Sequence, residues 1–391
     1  MMQVKAIRLG ISYIQCLLLC VYSHSNVYAS DIVSASSWIH RVDVSAYYGF
    51  IWAHCPAITH LQEKNLPLIQ LSFSHQTEGN KEWHHRYSFP NLGVGILYGN
   101  LGRPEVTGHA FSVAPHISLP LYRGNIFDLF IRHNLGLAYL TKKHDPLLNA
   151  ENNAIGSHVN IFYSSTINMQ LKTRQHGKLS GGLGLIHFSN GSVRKPNLGI
   201  NVPVIMLTYT RRIVPVNKIP EPKSRTDNTR NTSLLFSLAG GVSRVSPYED
   251  QLFPAYSLAA TISRKISTKR NIGLGADLFL NYADKQIMLI KEPKHSTINE
   301  LLKPGIHLSY EQAFGKVDFI IHNGIYLAEK HRKKEALYTR IGFRYQTHNK
   351  LLIHFCLNSN RFTASFIELG VGMRMFAFRQ QVHVNEHIIH Y

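Results

Sequence analysis

Phe127-Asp-Leu-Phe-Ile-Arg-His-Asn-Leu-Gly-Leu-Ala-Tyr139 decides the fold. Successive side chains of an extended strand point to opposite faces, so alternate residues are read together. The odd positions are Phe127, Leu129, Ile131, His133, Leu135, Leu137 and Tyr139, apolar but for one imidazole and aromatic at each end. The even positions include Asp128, Arg132, Asn134, Gly136 and Ala138, which are polar or small. A strand in a soluble sandwich needs neither aromatics at both ends nor charges on its other face. A membrane-spanning barrel strand needs both, because its outer band meets lipid between two aromatic girdles while its inner face is polar.

The alternation recurs along the chain. Val159, Ile161, Tyr163, Ile167, Met169 and Leu171 stand against His158, Asn160, Ser164, Thr166, Asn168 and Gln170. Ile272, Leu274, Ala276, Leu278, Leu280 and Tyr282 alternate with Asn271, Gly273, Gly275, Asp277 and Asn281. Ile367, Leu369, Val371 and Met373 alternate with Glu368, Gly370, Gly372 and Arg374. Counting such runs predicts about eight strands between Arg41 and Arg212 and about eight more between Ser233 and Phe376. The predicted fold class is all-β, a transmembrane antiparallel barrel. One barrel of about sixteen strands fits, and so do two smaller barrels in succession. Polar excursions around Thr77–Arg86, Lys142–Asn153 and Lys285–Asn299 read as extracellular loops.

The N-terminus explains how such a chain reaches a membrane. Residues 1–29 carry Lys5 and Arg8, an apolar run from Ile11 through Val21, and Val27-Tyr28-Ala29 as a small-residue cleavage site. This pattern predicts a secretory signal peptide. A first barrel region is expected over 31–214 and a second strand region over 233–378. Between them 215–232 is polar and holds Pro215, Pro220 and Pro222, which predicts a linker or long turn. The formal charge of +19 and a pI near 9.8 suggest an anionic partner, unless the cations only decorate solvated loops. For an exported chain a phosphorylated lipid surface fits better than nucleic acid. Cys55 and Cys356 are too few for a disulfide framework, although one long-range bridge between them is compatible with the sequence.

One hairpin carries chemistry. Leu183, Leu185, His187 and Ser189 share a strand face. Asn201, Pro203, Ile205, Leu207 and Tyr209 share a face of the next strand, after a polar turn with Gly191, Pro196, Asn197 and Gly199. If the hairpin is symmetrical about Arg194, His187 lies opposite Asn201, with Cβ atoms roughly 4.5–5.5 Å apart. A hydroxyl two residues from an imidazole, with a polar side chain across the ladder, is the geometry of an activated nucleophile. H-x-S also arises by chance, and the residues alone are compatible with an ordinary strand pair. The apolar neighbours predict a site that opens to lipid near the extracellular rim, not to the lumen.

The block from Trp83 to Tyr209 resembles the outer-membrane acyloxyacyl hydrolases, the lipid A 3-O-deacylase (PagL-type) family. Three segments carry the likeness: His187-Phe-Ser189-Asn190-Gly with Pro196-Asn197 and Gly199, Tyr87-Ser-Phe-Pro90-Asn-Leu-Gly93, and Asn153-Ala-Ile-Gly156-Ser157-His158-Val-Asn160. It covers roughly the first half of the mature chain, and no resemblance extends past about Thr232. It implies an outer-membrane esterase of a Gram-negative cell that removes an ester-linked acyl chain from lipid A of lipopolysaccharide. It implies Ser189 as nucleophile, His187 as general base and Asn190 as an oxyanion donor. The family's acidic member falls by spacing on Asn201, where this chain has no carboxylate. Asn can hold an imidazole tautomer but cannot stabilise imidazolium by charge. Lipid A and the outer membrane are the expected partners, with a homodimer left open, and no nucleic acid, cofactor or metal is expected. A porin-like channel and a catalytically degenerate lipid-binding barrel are the alternative readings.

The remaining motifs have plain readings. The 23 histidines, His84-His85 beside Trp83 among them, show no H-E-x-x-H spacing and are expected at the surface. Asp128 and Arg132 are expected in a structural ion network inside the barrel. Gly93-Val-Gly95 and Gly273-Leu-Gly275 read as barrel glycines that permit close packing, because no helix follows them.

Overall fold

In the computed structural model the alternating runs are strands, and the strands close into two barrels. The structure describes residues 39–172, 177–214, 230–246, 251–291, 301–328, 336–347, 350–360 and 363–380. The expected signal peptide over 1–29 and most of the expected linker over 215–232 lie outside these residues. The first barrel begins with β1 (Arg41–Gly49), β2 (Leu66–Gln76), β3 (Asn91–Asn100) and β4 (His109–Arg123). It continues through β5 (Phe127–Leu140), β6 (Val159–Leu171), β7 (Gly177–Ser189) and β8 (Ile200–Arg212). The second contains β9 (Arg230–Ser243), β10 (Phe253–Ser267), β11 (Arg270–Asn281) and β12 (Leu302–Phe314). Its last four strands are β13 (Val317–Tyr326), β14 (Leu337–Gln346), β15 (Leu351–Asn360) and β16 (Thr363–Gln380).

Of the two architectures compatible with the sequence, two barrels are formed. β8 pairs antiparallel with β1, from Arg41 with Arg212 to Gly49 with Val204, and β16 pairs with β9. Closure leaves no sheet edge facing hydrocarbon, where an unpaired backbone group costs several kcal/mol. No helix among the described residues is long and apolar enough to cross a membrane.

The outer face is the one the alternation assigns. Leu137, Leu183 and Ile205 are each more than 60% exposed, while Ala138, Ile186 and Val202, at positions of the opposite parity on the same strands, are buried. Tyr48, Tyr98, Phe111 and Tyr139 are exposed near one rim and Tyr122 near the other, where interfacial girdles belong.

Strand parity places the connections. Those after β1, β3, β5 and β7 share one rim, and those after β2, β4 and β6 the other. Thr77–Arg86 therefore lies at the opposite rim from Lys142–Asn153, contrary to the expectation that both are extracellular. Part of it is a short helix, α1 (Glu82–Arg86). Part of Lys285–Asn299 belongs to a second helix, α2 (Tyr282–Lys291), and the rest is outside the described residues.

Eight strands leave an interior just wide enough for side chains to fill, and both lumens are filled. In the first, Asp43 accepts from Arg132 Nη2 at 2.6 Å and from Thr210 Oγ1 at 2.7 Å, while Arg132 Nε donates to Ser118 Oγ. The network is the expected kind, but its pairing differs: Asp128 meets Lys172 at 3.3 Å, not Arg132. In the second, Arg340 bridges Asp277 at 2.9 Å and Glu368 at 2.7 Å, and His307 Nδ1 lies 2.5 Å from Asp277. Glu311 sits between Arg344 and Arg374 at 2.6 and 2.8 Å. A porin-like reading needs a wet lumen, and these charges are instead buried against one another. His84, His116, His307, His322 and His354 are also buried, which corrects their expected surface placement. Gly93 and Gly275 leave the room that the rings of His116 and His307 occupy. Cys55 and Cys356 are both free thiols, the latter buried in the second barrel.

A buried pair broken on one side leaves an uncompensated charge, at a cost of about 3–5 kcal/mol. Arg340→Ala strands Asp277 and Glu368 in this way. It is expected to lower markedly the temperature at which the folded, faster-migrating gel band converts to the unfolded one. An unchanged conversion temperature would show that these carboxylates need no cation.

The barrels meet at the rim opposite the β7–β8 connection. Tyr87 Oη donates to Ala313 O at 2.9 Å and accepts from Gln312 Nε2 at 2.8 Å, and its ring stacks on Phe314 at 4.7 Å. Arg86 Nη1 donates to Thr268 O at 2.8 Å. Burial pushes the Tyr87 phenol up to about 12, so it remains a donor at neutral pH.

Candidate active site

β7 and β8 form the hairpin that the sequence suggests, and their register pairs His187 with Asn201. Ile186 and Phe188 fill the lumen, so the period of two turns His187 and Ser189 outward, onto the face of Leu183 and Ile205. His187 Nε2 is 2.9 Å from Ser189 Oγ and His187 Nδ1 is 2.6 Å from Asn201 Oδ1. Ser189 is 8% exposed and lies at the end of β7, at the rim shared by the β1–β2, β3–β4 and β5–β6 connections.

The hydrogen-bond partners fix the direction of donation. Asn201 Oδ1 can only accept, so Nδ1 of His187 carries the proton and Nε2 presents its lone pair to the Ser189 hydroxyl. Asn201 Nδ2 lies 3.1 Å from His54 Nδ1, so its amide donates to a second imidazole. With His187 protonated at Nδ1, as a general base at Nε2 requires, this contact favours the amide with its oxygen toward His187, since a flipped amide would set two donors against each other. Ser189, His187, Asn201 and His54 thus form one chain of donors. Backbone geometry supports it: Trp52 N–H donates to Asn201 O at 2.8 Å and His54 N–H to Trp52 O at 2.9 Å.

The turn after Ser189 is ordered by side chains. Asn190 N–H donates to Asn197 Oδ1 at 2.8 Å, Asn190 Nδ2 donates to Ser157 Oγ at 2.9 Å, and Arg194 N–H donates to Asn190 Oδ1 at 3.3 Å. Ser157 precedes β6 and is itself braced, its carbonyl accepting from Asn160 Nδ2 at 2.8 Å. Gly199 has φ +79°, and a Cβ there would stand 3.0 Å from His187 Cε1. Only glycine gives both that backbone conformation and that clearance.

All four residues singled out from the sequence therefore lie within this hairpin and its turn: His187, Ser189 and Asn201 in direct contact, Asn190 one residue beyond. The sequence reading missed His54, Ser157 as a partner of Asn190, and Asn197 as the acceptor for its amide. Ser157 and Asn197 stand in segments that carry the family likeness. His54 has no comparable signal, since it reaches the site from a connection 147 residues away.

Fold and family models together define the class: a transmembrane β-barrel hydrolase. The model of a family described as lipid A 3-O-deacylase (PagL) matches residues 68–210, and that of the acyloxyacyl hydrolase C-terminal domain matches residues 232–380. The chain belongs to this family of ester hydrolases, and the likeness extends past Thr232, where the sequence reading had found none. A crystal structure of the outer membrane enzyme PagL aligns with 44% of this chain and 99% of its own, at 20% identity and a TM-score of 0.29. A mutant Rhodopseudomonas blastica porin aligns with 85% of this chain and 99% of its own, at 8% identity and a TM-score of 0.18. A comparison with curated proteins gives no match.

Proposed function

We propose that the protein cleaves an ester-linked acyl chain from lipid A by a Ser189–His187 mechanism at the lipid-facing surface of its first barrel. The observation that carries this reading is the donor chain Ser189–His187–Asn201, with distances of 2.9 and 2.6 Å, on an outward face. Ser189 Oγ attacks the ester carbonyl carbon as His187 Nε2 takes its proton. The tetrahedral intermediate collapses to an acyl-serine, and the sugar oxygen leaves with the proton from His187. Water, activated by the same nitrogen, then releases the fatty acid and restores Ser189. Asn190 Nδ2 carries two hydrogens, of which the Ser157 contact uses one, and the other serves the oxyanion.

The site rim faces the cell exterior in this reading. Support comes from its connections after β1, β3, β5 and β7, each of eight residues or more, whereas at the other rim only the one between β2 and β3 is long and Gly124–Ile126 is three residues. Leu183 and Ile205 then point into the outer leaflet below the site, where lipid A places its acyl chains. Mass spectrometry of lipid A from cells with and without the protein tests the function. The expected result is a species lighter by one ester-linked acyl group only where the protein is present. Intact lipid A in both would favour a lipid-binding barrel with a degenerate site.

A further inference from the structure

The turn that follows Ser189 is held from two sides, and one of them is the second barrel. Gly191 lies directly against Ile367, and a Cβ there would also stand 3.5 Å from Leu357 Cδ1. Leu357 and Ile367 are register partners on the outer face of β15 and β16. They are half-buried, whereas Phe355 and Leu369 on the same face are 48% and 62% exposed. The burial is local to this junction. Arg244, just past β9, is 5% exposed and its Nε donates to Val193 O at 2.9 Å. Lys195 Nζ donates to Val245 O at 3.2 Å. Residues 191, 193 and 195 of the turn thus all touch the second barrel.

A turn of this kind needs such support. Gly191 and Ser192 both have positive φ, 63° and 71°, and such backbone persists only where its surroundings hold it. The turn begins one residue after Ser189 and presents Asn190. Reacting groups displaced by about 1 Å cost about a hundredfold in rate. We propose that the C-terminal barrel is a positioning element of the deacylase site. Its Leu357–Ile367 pair and Arg244 seat the β7–β8 turn and so fix Asn190 beside Ser189. The second barrel then acts on the chemistry without touching substrate. The proposal rests on the reading of Ser189 and Asn190 given above.

The test uses the full-length protein in detergent, with heat-modifiable gel mobility to show that both barrels remain folded. Leu357→Ala with Ile367→Ala, and separately Arg244→Ala, are expected to lower kcat on lipid A by about tenfold or more, with KM within about twofold. Ile367→Leu, which keeps the apolar contact, is expected to retain the rate. Leu274→Ala, an equal truncation on an outer-face side chain 66% exposed, is expected to leave kcat unchanged. Unchanged kcat in the junction variants, beside an inactive Ser189→Ala, would overturn the proposal alone. A Ser189→Ala protein that still cleaves would overturn the assignment beneath it, a distinguishable result.

Discussion

Ser189→Ala and His187→Ala are each expected to reduce lipid A ester cleavage by on the order of a thousandfold or more, with both barrels folded. In the proposed mechanism Ser189 Oγ makes the new bond, and among the described residues no other hydroxyl is seen bonded to the His187 Nε2 that would activate it. Removing the imidazole leaves the hydroxyl at its ordinary, weakly nucleophilic ionisation. Because the two residues act as one unit, the double variant should be hardly slower than either single one. Additive losses would mean that they contribute separately, which the 2.9 Å contact between them argues against. Neither side chain fills the lumen, so neither substitution should disturb closure of the barrel. Lipid A product analysis gives the rate, and gel mobility before and after heating gives the fold.

The barrel was legible because it depends on a short-range rule. In β5, Leu137 and Tyr139 are exposed and Ala138 and Leu140 are buried, as period two requires. The pairing of His187 with Asn201 was legible for the same reason, since a hairpin register follows from its own turn. What period cannot supply is a partner from a distant strand. Arg132 finds Asp43 across the lumen, 89 residues away, although Asp128 stands nearer in sequence on the same face. Lumen histidines such as His116 and His307 look like surface residues because an inward face is polar in this class of protein. Closure into two barrels depends on β8 finding β1, and alternation is blind to that choice. The apolar outer face of β16 looks like lipid contact throughout, yet Ile367 meets Gly191 of the other barrel.

Asn201 stands where the sequence resemblance leads one to expect a carboxylate, and His54 is expected to be what makes an amide workable there. A carboxylate offers two equivalent acceptors to His187, whereas an amide has one right and one wrong orientation. In the structure Asn201 Nδ2 lies 3.1 Å from His54 Nδ1, and donation there favours the right one when His187 is protonated at Nδ1. Asn201→Ala should lower kcat by about a hundredfold, because His187 loses the group that fixes its tautomer and ring orientation. Asn201→Asp should retain or raise the rate, since it adds the charge that stabilises imidazolium. His54→Ala should cost about tenfold in the native background, where the amide becomes free to flip. With Asn201→Asp already in place the same His54→Ala should cost little, because a carboxylate has no wrong orientation to prevent. This difference between backgrounds is a double-mutant cycle, and it separates an orienting role for His54 from simple support of the β1–β2 connection. Equal losses from His54→Ala in both backgrounds would assign His54 to the connection and leave Asn201 oriented by its strand alone.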